Sequence, residues 1–274
     1  MTRPVFPARA LVLAEDNMRP ADRVLARECA VALSFDGATQ AVMMASPVAL
    51  EDFALGFALS EEIVASPDQI TAIERVEHNT GIEMRMWLAA PVGARLAARR
   101  RAMVGPVGCG LCGLDSLAAA ERPLPPLPAC GLRVTRAEIV RAMSDMRAVQ
   151  TLHSQTGGTH AAGFWTPGKG LGTLREDIGR HIALDKLIGA RARAGADLSG
   201  GIVVMSSRLS IELVQKAVLA RAPILAAVSA PTARAVATAD AAGLTLVAWA
   251  RGERCEVYTH PHRIAGTTGG RDAV

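Results

Sequence analysis

A chain of 274 residues, 50% apolar and only 20% charged, is built to bury a core, which excludes a disordered protein. Thirty basic against 26 acidic side chains leave a net charge of +4, too mild for a surface that tracks duplex nucleic acid. With aromatics at 3%, the core must rest on Ala, Val, Leu and Ile, and the length suits one large or two modest domains.

The opening MTRPVFPARALVLAEDN holds a short apolar patch broken by charge, with no small-residue cleavage pattern after it, so no secretory signal is expected. No apolar run approaches the roughly 18 residues that cross a bilayer. CAVALSFDG (29–37) alternates apolar residues up to an Asp-Gly turn signal, and AVMMAS follows, which predicts a hairpin. Ser46-Pro47 is read as the start of a helix, since proline suits a first turn. Along LEDFALGFALSEEIV, Leu50, Phe53, Phe57, Leu59 and Ile63 form the apolar face, leaving Glu51, Asp52, Glu61 and Glu62 for solvent. Residues 70–90 read as further strand, including IEMRMWL.

After the run Arg99–Arg101, the densest positive cluster, glycines at 105, 108, 110 and 113 make a loop around GCGLCG. RPLPPLPACG (122–131) reads as a linker, because its four prolines exclude helix interior and central strand. It separates an N-terminal α+β domain (1–121), ending in the Cys-x-x-Cys loop, from a second domain (132–274). The second domain alternates strand and helix. TRAEIVRAMSDMRAV (135–149) opens with a Thr135–Glu138 capping box, and a helix from Asp177 ends at Gly195. HAAGFW, GIVVMSS, PILAAVS, LTLVAWAR and EVYTHP are strands; SIELVQKAVLARA and TARAVATADAAG are helices. Such alternation predicts α/β layers around a mostly parallel sheet. No internal repeat is visible.

Three readings compete for Cys109 and Cys112. A structural zinc wants four ligands, yet Cys29, Cys130 and Cys255 stand singly, and the close pair His260 and His262 lacks zinc-finger spacing. A thioredoxin-like dithiol starts a helix after a strand, whereas this pair sits among glycines. The third reading is a mobile nucleophile: a thiolate that accepts sulfur as a persulfide, carries it on a glycine-rich arm and hands it on. Arg99–Arg101 and a helix start near Asp115 are candidate sources of positive potential for that thiolate. Five cysteines, an odd and sparse set, do not make a disulfide framework, and the expected compartment is the cytoplasm.

Other segments suit anions. TGGTHAA (156–162) is a turn whose backbone can approach an anion closely, or an ordinary loop before a strand. REDIGRHIALDK (175–186) groups Arg180, His181, Asp185 and Lys186 around a helix start; by itself a charged helix is more simply a solvated face. Ser206, Ser207 and Arg208 lie where a buried strand gives way to a helix, the place where open α/β sheets bind phosphate. Trp249, Ala250, Arg251, Gly252, Glu253 and Arg254 form a second strand end with two more guanidinium groups.

Together, EDFALGF (51–57), GPVGCGLCG (105–113), TGGTHAAGF (156–164), EDIGRH-x-A-x-DK (176–186), SSRLSIELVQKA (206–217), SAPT (229–232) and YTHPHRI (258–264) resemble the FdhD/NarQ family of formate dehydrogenase accessory sulfurtransferases. Two departures stand out: Ile182 replaces the usual Asn, and Cys255, just before YTHP, is read as a packed cysteine. The resemblance implies an enzyme that takes sulfur from a cysteine desulfurase. It passes that sulfur to the molybdenum or tungsten bis-guanine-dinucleotide cofactor destined for formate dehydrogenase. Cys109 would carry the persulfide, with Cys112 assisting or resolving. The resemblance also implies an α/β/α sandwich like the cytidine-deaminase fold, a homodimer, and cofactor contacts at Trp249–Arg254, together with a site that accepts a GDP-like nucleotide and needs no structural metal.

Two rival functions remain for comparison. A cofactor-binding chaperone without sulfur chemistry would tolerate loss of both cysteines. A zinc deaminase needs His-x-Glu and Pro-Cys-x-x-Cys. None of His78, His153, His160, His181, His260 and His262 has a glutamate two places on, and Gly108 precedes Cys109.

Overall fold

The computed structural model describes residues 3–14, 17–102 and 124–266. Val5–Ala14 (β1) and Asn17–Ala26 (β2) pair along their whole length as an antiparallel hairpin that joins no other strand among the described residues. Sequence reading saw only a short apolar patch there. Cys29–Phe35 (β3) and Ala38–Ala45 (β4) form the expected hairpin, with Asp36 and Gly37 both at positive φ (49° and 78°), as a two-residue turn between twisted strands requires. Ile70–His78 (β5) and Gly81–Leu88 (β6) complete a four-stranded sheet in the order β4-β3-β6-β5. Its inner face presents Val31, Leu33, Phe35, Ile82, Met84 and Met86 to helix α1 (Leu50–Ser60). Helix α2 (Ala90–Ala102) follows and includes Arg99–Arg101 in its last turns.

Helix α1 corrects two expectations. It begins at Leu50, after Ala49 in the left-handed region, rather than at Ser46-Pro47. Asp52, assigned to solvent, is buried, because α1 is covered on both sides: by its own sheet and by the helix α5 (Arg180–Arg193) of the second unit.

Leu124 and Leu127 pack against the large core, and the Leu127 amide donates to the Ala242 carbonyl at 2.9 Å. The Pro-rich stretch is thus tied to the body from Leu124 onward. Helix α3 (Arg136–Ala148) starts with the capping box: Thr135 Oγ1 accepts the Glu138 amide at 3.1 Å, and Glu138 Oε2 accepts the Thr135 amide at 2.8 Å. Short helix α4 (Thr151–Thr156) leads into β8 (His160–Thr166) and β9 (Gly170–Asp177). A two-strand parallel bridge, β7 (Val134–Thr135) with β14 (Ile264–Ala265), clips the two ends of this unit together.

The large sheet runs β13-β12-β11-β10-β8-β9, with β10 (Ile202–Met205), β11 (Ile224–Ala227), β12 (Thr245–Arg251) and β13 (Arg254–Val257). Only β10, β11 and β12 are mutually parallel; β8, β9 and β13 pair antiparallel, so the sheet is mixed rather than mostly parallel. The reason lies in two hairpins, β8–β9 and β12–β13. The first was hidden because the charged end of β9, Arg175-Glu176-Asp177, reads as the polar start of a helix. On one face, Phe164, Val203, Met205, Leu225 and Leu246 meet α5, α6 (Ile211–Leu219) and α7 (Ala233–Ala242). On the other, Trp165, Ile202, Val204, Ile224 and Val247 meet Ile139, Met143 and Met146 of α3. Three layers result, and α5 serves two cores, since Ile182 packs with the small sheet while Leu184 and Leu187 pack with the large one.

Buried charge locks the two units together. Asp52 receives Arg175 at 2.7 Å and Arg193 at 2.8 Å. Lys186 Nζ reaches Asp177 at 2.6 Å and donates to the Ser46 carbonyl at 3.0 Å, all three residues being buried. Lys216 Nζ binds Asp185 at 2.9 Å, Glu61 at 2.7 Å and the Ser60 hydroxyl at 2.8 Å. Asp185 and Lys186 are therefore interior residues, not the solvated face that a charged helix suggests.

Candidate functional site

Strand direction gathers the candidate residues along one edge of the large sheet. The carboxyl ends of the parallel strands β10, β11 and β12 lie there, as do the amino ends of the antiparallel β8 and β13 and the carboxyl end of β9. His160 opens β8; Gly179 precedes α5; Ser206, Ser207 and Arg208 follow β10; Ser229–Thr232 follow β11; Trp249–Arg251 close β12. Helices α5, α6 and α7 each begin on this edge, so three positive dipole ends point to it.

Backbone bonds hold the edge rigid. Ser206 donates its amide to the Ala161 carbonyl at 3.0 Å, and its hydroxyl oxygen accepts the Ala161 amide at 2.8 Å. Leu209 donates to the Ala230 carbonyl at 3.0 Å and accepts from the Thr232 amide at 2.9 Å. Further along, the Trp249 amide donates to the Ser229 carbonyl at 3.3 Å.

The electrostatics are positive and partly dry. Burial, reinforced by Arg180, brings the His181 pKa down to about 4, so its imidazole is neutral near pH 7; Nε2 lies 3.3 Å from the Ser210 hydroxyl. Burial also lowers His160, with Arg180, His153 and Arg208 adding to the effect. Burial works against the charged form of Glu212, but the Ser210 hydroxyl, its own amide and the charges of His181 and Arg180 hold its carboxyl below the usual value. The Nε of Arg180 is buried and meets no acceptor among the described residues. An unmet buried donor is costly unless a ligand supplies the acceptor, and an anion at this edge would do so.

The expected residues divide into two groups. Arg180, His181, Ser206, Ser207 and Arg208 come together around the starts of α5 and α6. Trp249–Arg254 lie two strands away on the same edge, with the end of β11 between. Within the second group, Arg251 stacks its guanidinium 4.8 Å from the centre of the Trp249 ring, while Trp249 and Gly252 take left-handed backbone angles that shape the hairpin. Ala250 points into the core beneath α3, the Glu253 carbonyl receives Arg136, and Arg254 pairs with Glu256 at 2.6 Å. The Ser207 hydroxyl donates to the Arg208 carbonyl at 2.9 Å. Ile182, the departure from the family pattern, is a core residue, and half-buried Cys255 packs on the core with its thiol pushed up by burial. Cys109, Cys112 and Asp115 lie outside the described residues.

Sequence reasoning undervalued His160, Ser210 and the Ser229–Thr232 turn. The signal was present in TGGTHAA and SAPT, but only strand order shows that these segments share an edge. A cavity of about 1200 Å³ occupies the opposite edge, lined where α5 and α6 end by Arg191, Leu219 and Arg221 and at the β8–β9 turn by Lys169. It contains none of the expected binding residues. Among the described residues, no group of three or more His, Cys, Asp or Glu is placed to hold a metal ion, and no helix is long and apolar enough to cross a membrane.

The model of the FdhD/NarQ family matches residues 26–265. A sulfur carrier protein FdhD of Brucella abortus is 53% identical over 90% of this chain and 92% of its own, and that of Agrobacterium fabrum is 48% identical over 92% and 93%. In fold, the chain resembles the crystal structure of a protein provisionally described as a formate dehydrogenase accessory protein, from Desulfotalea psychrophila. The TM-score is 0.74 at 23% identity, covering 96% of this chain and all of that one (100%).

Proposed function

The chain belongs to the FdhD/NarQ family, and on that premise we propose that it is a cytoplasmic sulfurtransferase of formate dehydrogenase maturation, with Cys109 as its carrier. The Cys109 thiolate attacks the outer sulfur of a cysteine desulfurase persulfide, the desulfurase cysteine leaves as a thiolate, and Cys109 keeps the transferred sulfur. The Cys112 thiolate then attacks Cys109 Sγ, closing a Cys109–Cys112 disulfide as the outer sulfur leaves at the sulfide level. That sulfur passes to a molybdenum or tungsten bis-guanine-dinucleotide cofactor, which is cargo rather than a resident group.

The observation that carries the cargo half of this reading is the buried Arg180 Nε without an acceptor, set beside Arg208 where α5 and α6 begin. Guanidinium groups and helix starts suit diphosphates. Trp249 with its stacked Arg251 supplies a second station on the same edge. The three-layer unit is read as cytidine-deaminase-like, with this edge turned to nucleotide binding.

The test is peptide mass spectrometry after incubation with a cysteine desulfurase and cysteine. The peptide bearing Cys109 and Cys112 should gain the mass of one sulfur atom, and Cys109→Ala should abolish the gain. A chaperone that only holds the cofactor would show no gain, and Cys109→Ala would still support formate dehydrogenase activity.

A further inference from the structure

We propose that the open edge of β9 is where the cysteine desulfurase docks, laying an extended segment along Gly170–Thr173 as a further strand of the large sheet. The inference adds a partner surface to the carrier role proposed above and rests on that role. β9 is one of the two edge strands of the six-stranded sheet. Its carboxyl end is closed off by bonds to other elements: Arg175 pairs with Asp52, Glu176 accepts the amides of Leu152 and His153, and Asp177 pairs with Lys186. The Leu174 carbonyl accepts the Arg175 guanidinium at 2.8 Å. From Gly170 to Thr173, the backbone bonds only to β8 among the described residues. Such an edge is commonly guarded by charge or proline. Gly-Leu-Gly-Thr carries neither, whereas β13, on the other edge, carries Arg254 and Glu256.

A hollow flanks this edge on each face of the sheet. On the α3 side, about 450 Å³ lies between Leu171 and Leu174 of β9 and Ala148 and Val149 at the end of α3, where Val149 is 47% exposed. On the α5 side lies the cavity of about 1200 Å³, walled by Phe164, Ile188 and Leu198. Gly172 borders both. Side chains alternate between the faces of a strand, so a segment paired to β9 would send them by turns into one hollow and the other. Main-chain bonds would supply affinity, and the two apolar hollows would select the side chains. An open backbone edge between two hollows fits an extended peptide rather than a small molecule.

Charge on the cavity rim narrows the chemistry of that segment. Arg191 and Arg221 stand where α5 and α6 end and offset the negative dipole ends there. Arg95 and Lys169 border the same cavity away from any helix end, and neither forms an ion pair among the described residues. They are free to meet an acidic side chain on the incoming segment, which is therefore apolar at alternate positions and acidic at one end. Arg95 also belongs to α2, the helix that precedes Cys109 in the sequence. The anion-suited residues lie on the opposite edge of the sheet, so a donor docked on β9 leaves the cargo edge free.

Amide hydrogen exchange of the full chain, alone and with saturating cysteine desulfurase, tests it. The fast-exchanging amides of residues 170–174 should slow about tenfold or more in the mixture. Gly172→Lys charges the edge, and the fold has room for it, since a Cβ there meets nothing nearer than the Phe164 carbonyl at 4.0 Å. Val149→Lys charges the α3 wall at an exposed position. Each should raise the dissociation constant of the desulfurase complex about tenfold or more by calorimetry, with the circular-dichroism melt unchanged. Should either variant melt early, the exchange of the wild type decides. Unslowed exchange in residues 170–174, or wild-type affinity in both variants, overturns the proposal. Sulfur gain on the peptide bearing Cys109, read in the same samples, separates the two readings. Gain with unslowed exchange removes the docking surface alone; slowed exchange without gain removes the carrier role and leaves the surface standing.

Discussion

Gly56 of α1 and Gly189 of α5 stand against each other's helix backbone. A Cβ on Gly56 would lie 1.7 Å from the Asp185 carbonyl oxygen, and one on Gly189 would lie 1.9 Å from that of Asp52. Neither neighbour is a flexible side-chain tip, so the helices must part to admit even a methyl group. Parting them also stretches the ion pairs of Asp52 with Arg193 and of Lys216 with Glu61, which join the same two units. Gly56→Ala and Gly189→Ala should each therefore cost on the order of 3 kcal/mol, at the upper end of overpacking effects. Urea unfolding measures the loss; a midpoint unchanged by either substitution would show that the seam yields without penalty.

Lys216 and Asp185 form a second buried ion pair beside that seam. Burial opposes the Lys216 ammonium, but Asp185 and Glu61 outweigh it and hold its pKa above the ordinary value. Lys216→Met leaves Asp185 buried among hydroxyl and carboxylate groups with no cation, which should cost about 3–5 kcal/mol. Removing both partners, as in Lys216→Met with Asp185→Leu, should recover a large part of this, because no orphaned charge remains. A double-mutant cycle on unfolding free energies reads the coupling. Equal costs for the single and double variants would mean that volume, not charge, dominates.

Local patterns were the legible part of this chain. The Asp36-Gly37 hairpin, the Thr135–Glu138 capping box and the alternation from β10 to β12 all depend on residues close in sequence, and the structure contains them. What escaped depends on distant partners. Asp52 looks solvent-facing until Arg175 and Arg193, more than 120 residues away, meet it inside the seam. Arg175 in turn belongs to β9, whose charged end mimics a helix start. The candidate site was legible as separate anion-suited segments, because strand-to-helix transitions show locally. Their union on one edge was not, because strand order and direction are set by packing rather than by any one segment.

His181 gives stability a pH dependence of known sign. Its folded pKa, about 4, lies below the ordinary 6.5, because burial and then Arg180 disfavour the imidazolium, with Lys216 adding to the effect and Glu212 and Glu61 opposing it. Between those values the unfolded chain binds more protons, so stability should fall as pH drops from about 6.5 towards 4. The gap corresponds to on the order of 3 kcal/mol for this residue alone, and His160, lowered mainly by burial, acts in the same direction. Unfolding free energies at stepped pH should show a slope that His181→Gln makes shallower. An NMR titration of the His181 ring with a midpoint above 6 would contradict the assignment.

Arg180 and Arg208 separate a binding role from a structural one. If the strand-end edge receives a diphosphate, each guanidinium contributes a charge-assisted hydrogen bond worth about 1.5–3 kcal/mol. Arg180→Ala and Arg208→Ala should then weaken binding of GDP roughly ten- to hundredfold by calorimetry. The unliganded protein should not suffer from the first change, since the Arg180 Nε has no acceptor to lose among the described residues. Its melting temperature should stay level or rise slightly. Arg141→Ala, on the α3 side of the sheet, should leave GDP affinity alone. Arg251→Ala asks whether the Trp249 station takes part in the same contact, and a loss comparable to that of Arg208→Ala would mean that one nucleotide spans both. Unaltered GDP affinity in Arg180→Ala together with a lowered melting temperature would make that side chain structural, and the anion site would have to be sought elsewhere on the edge.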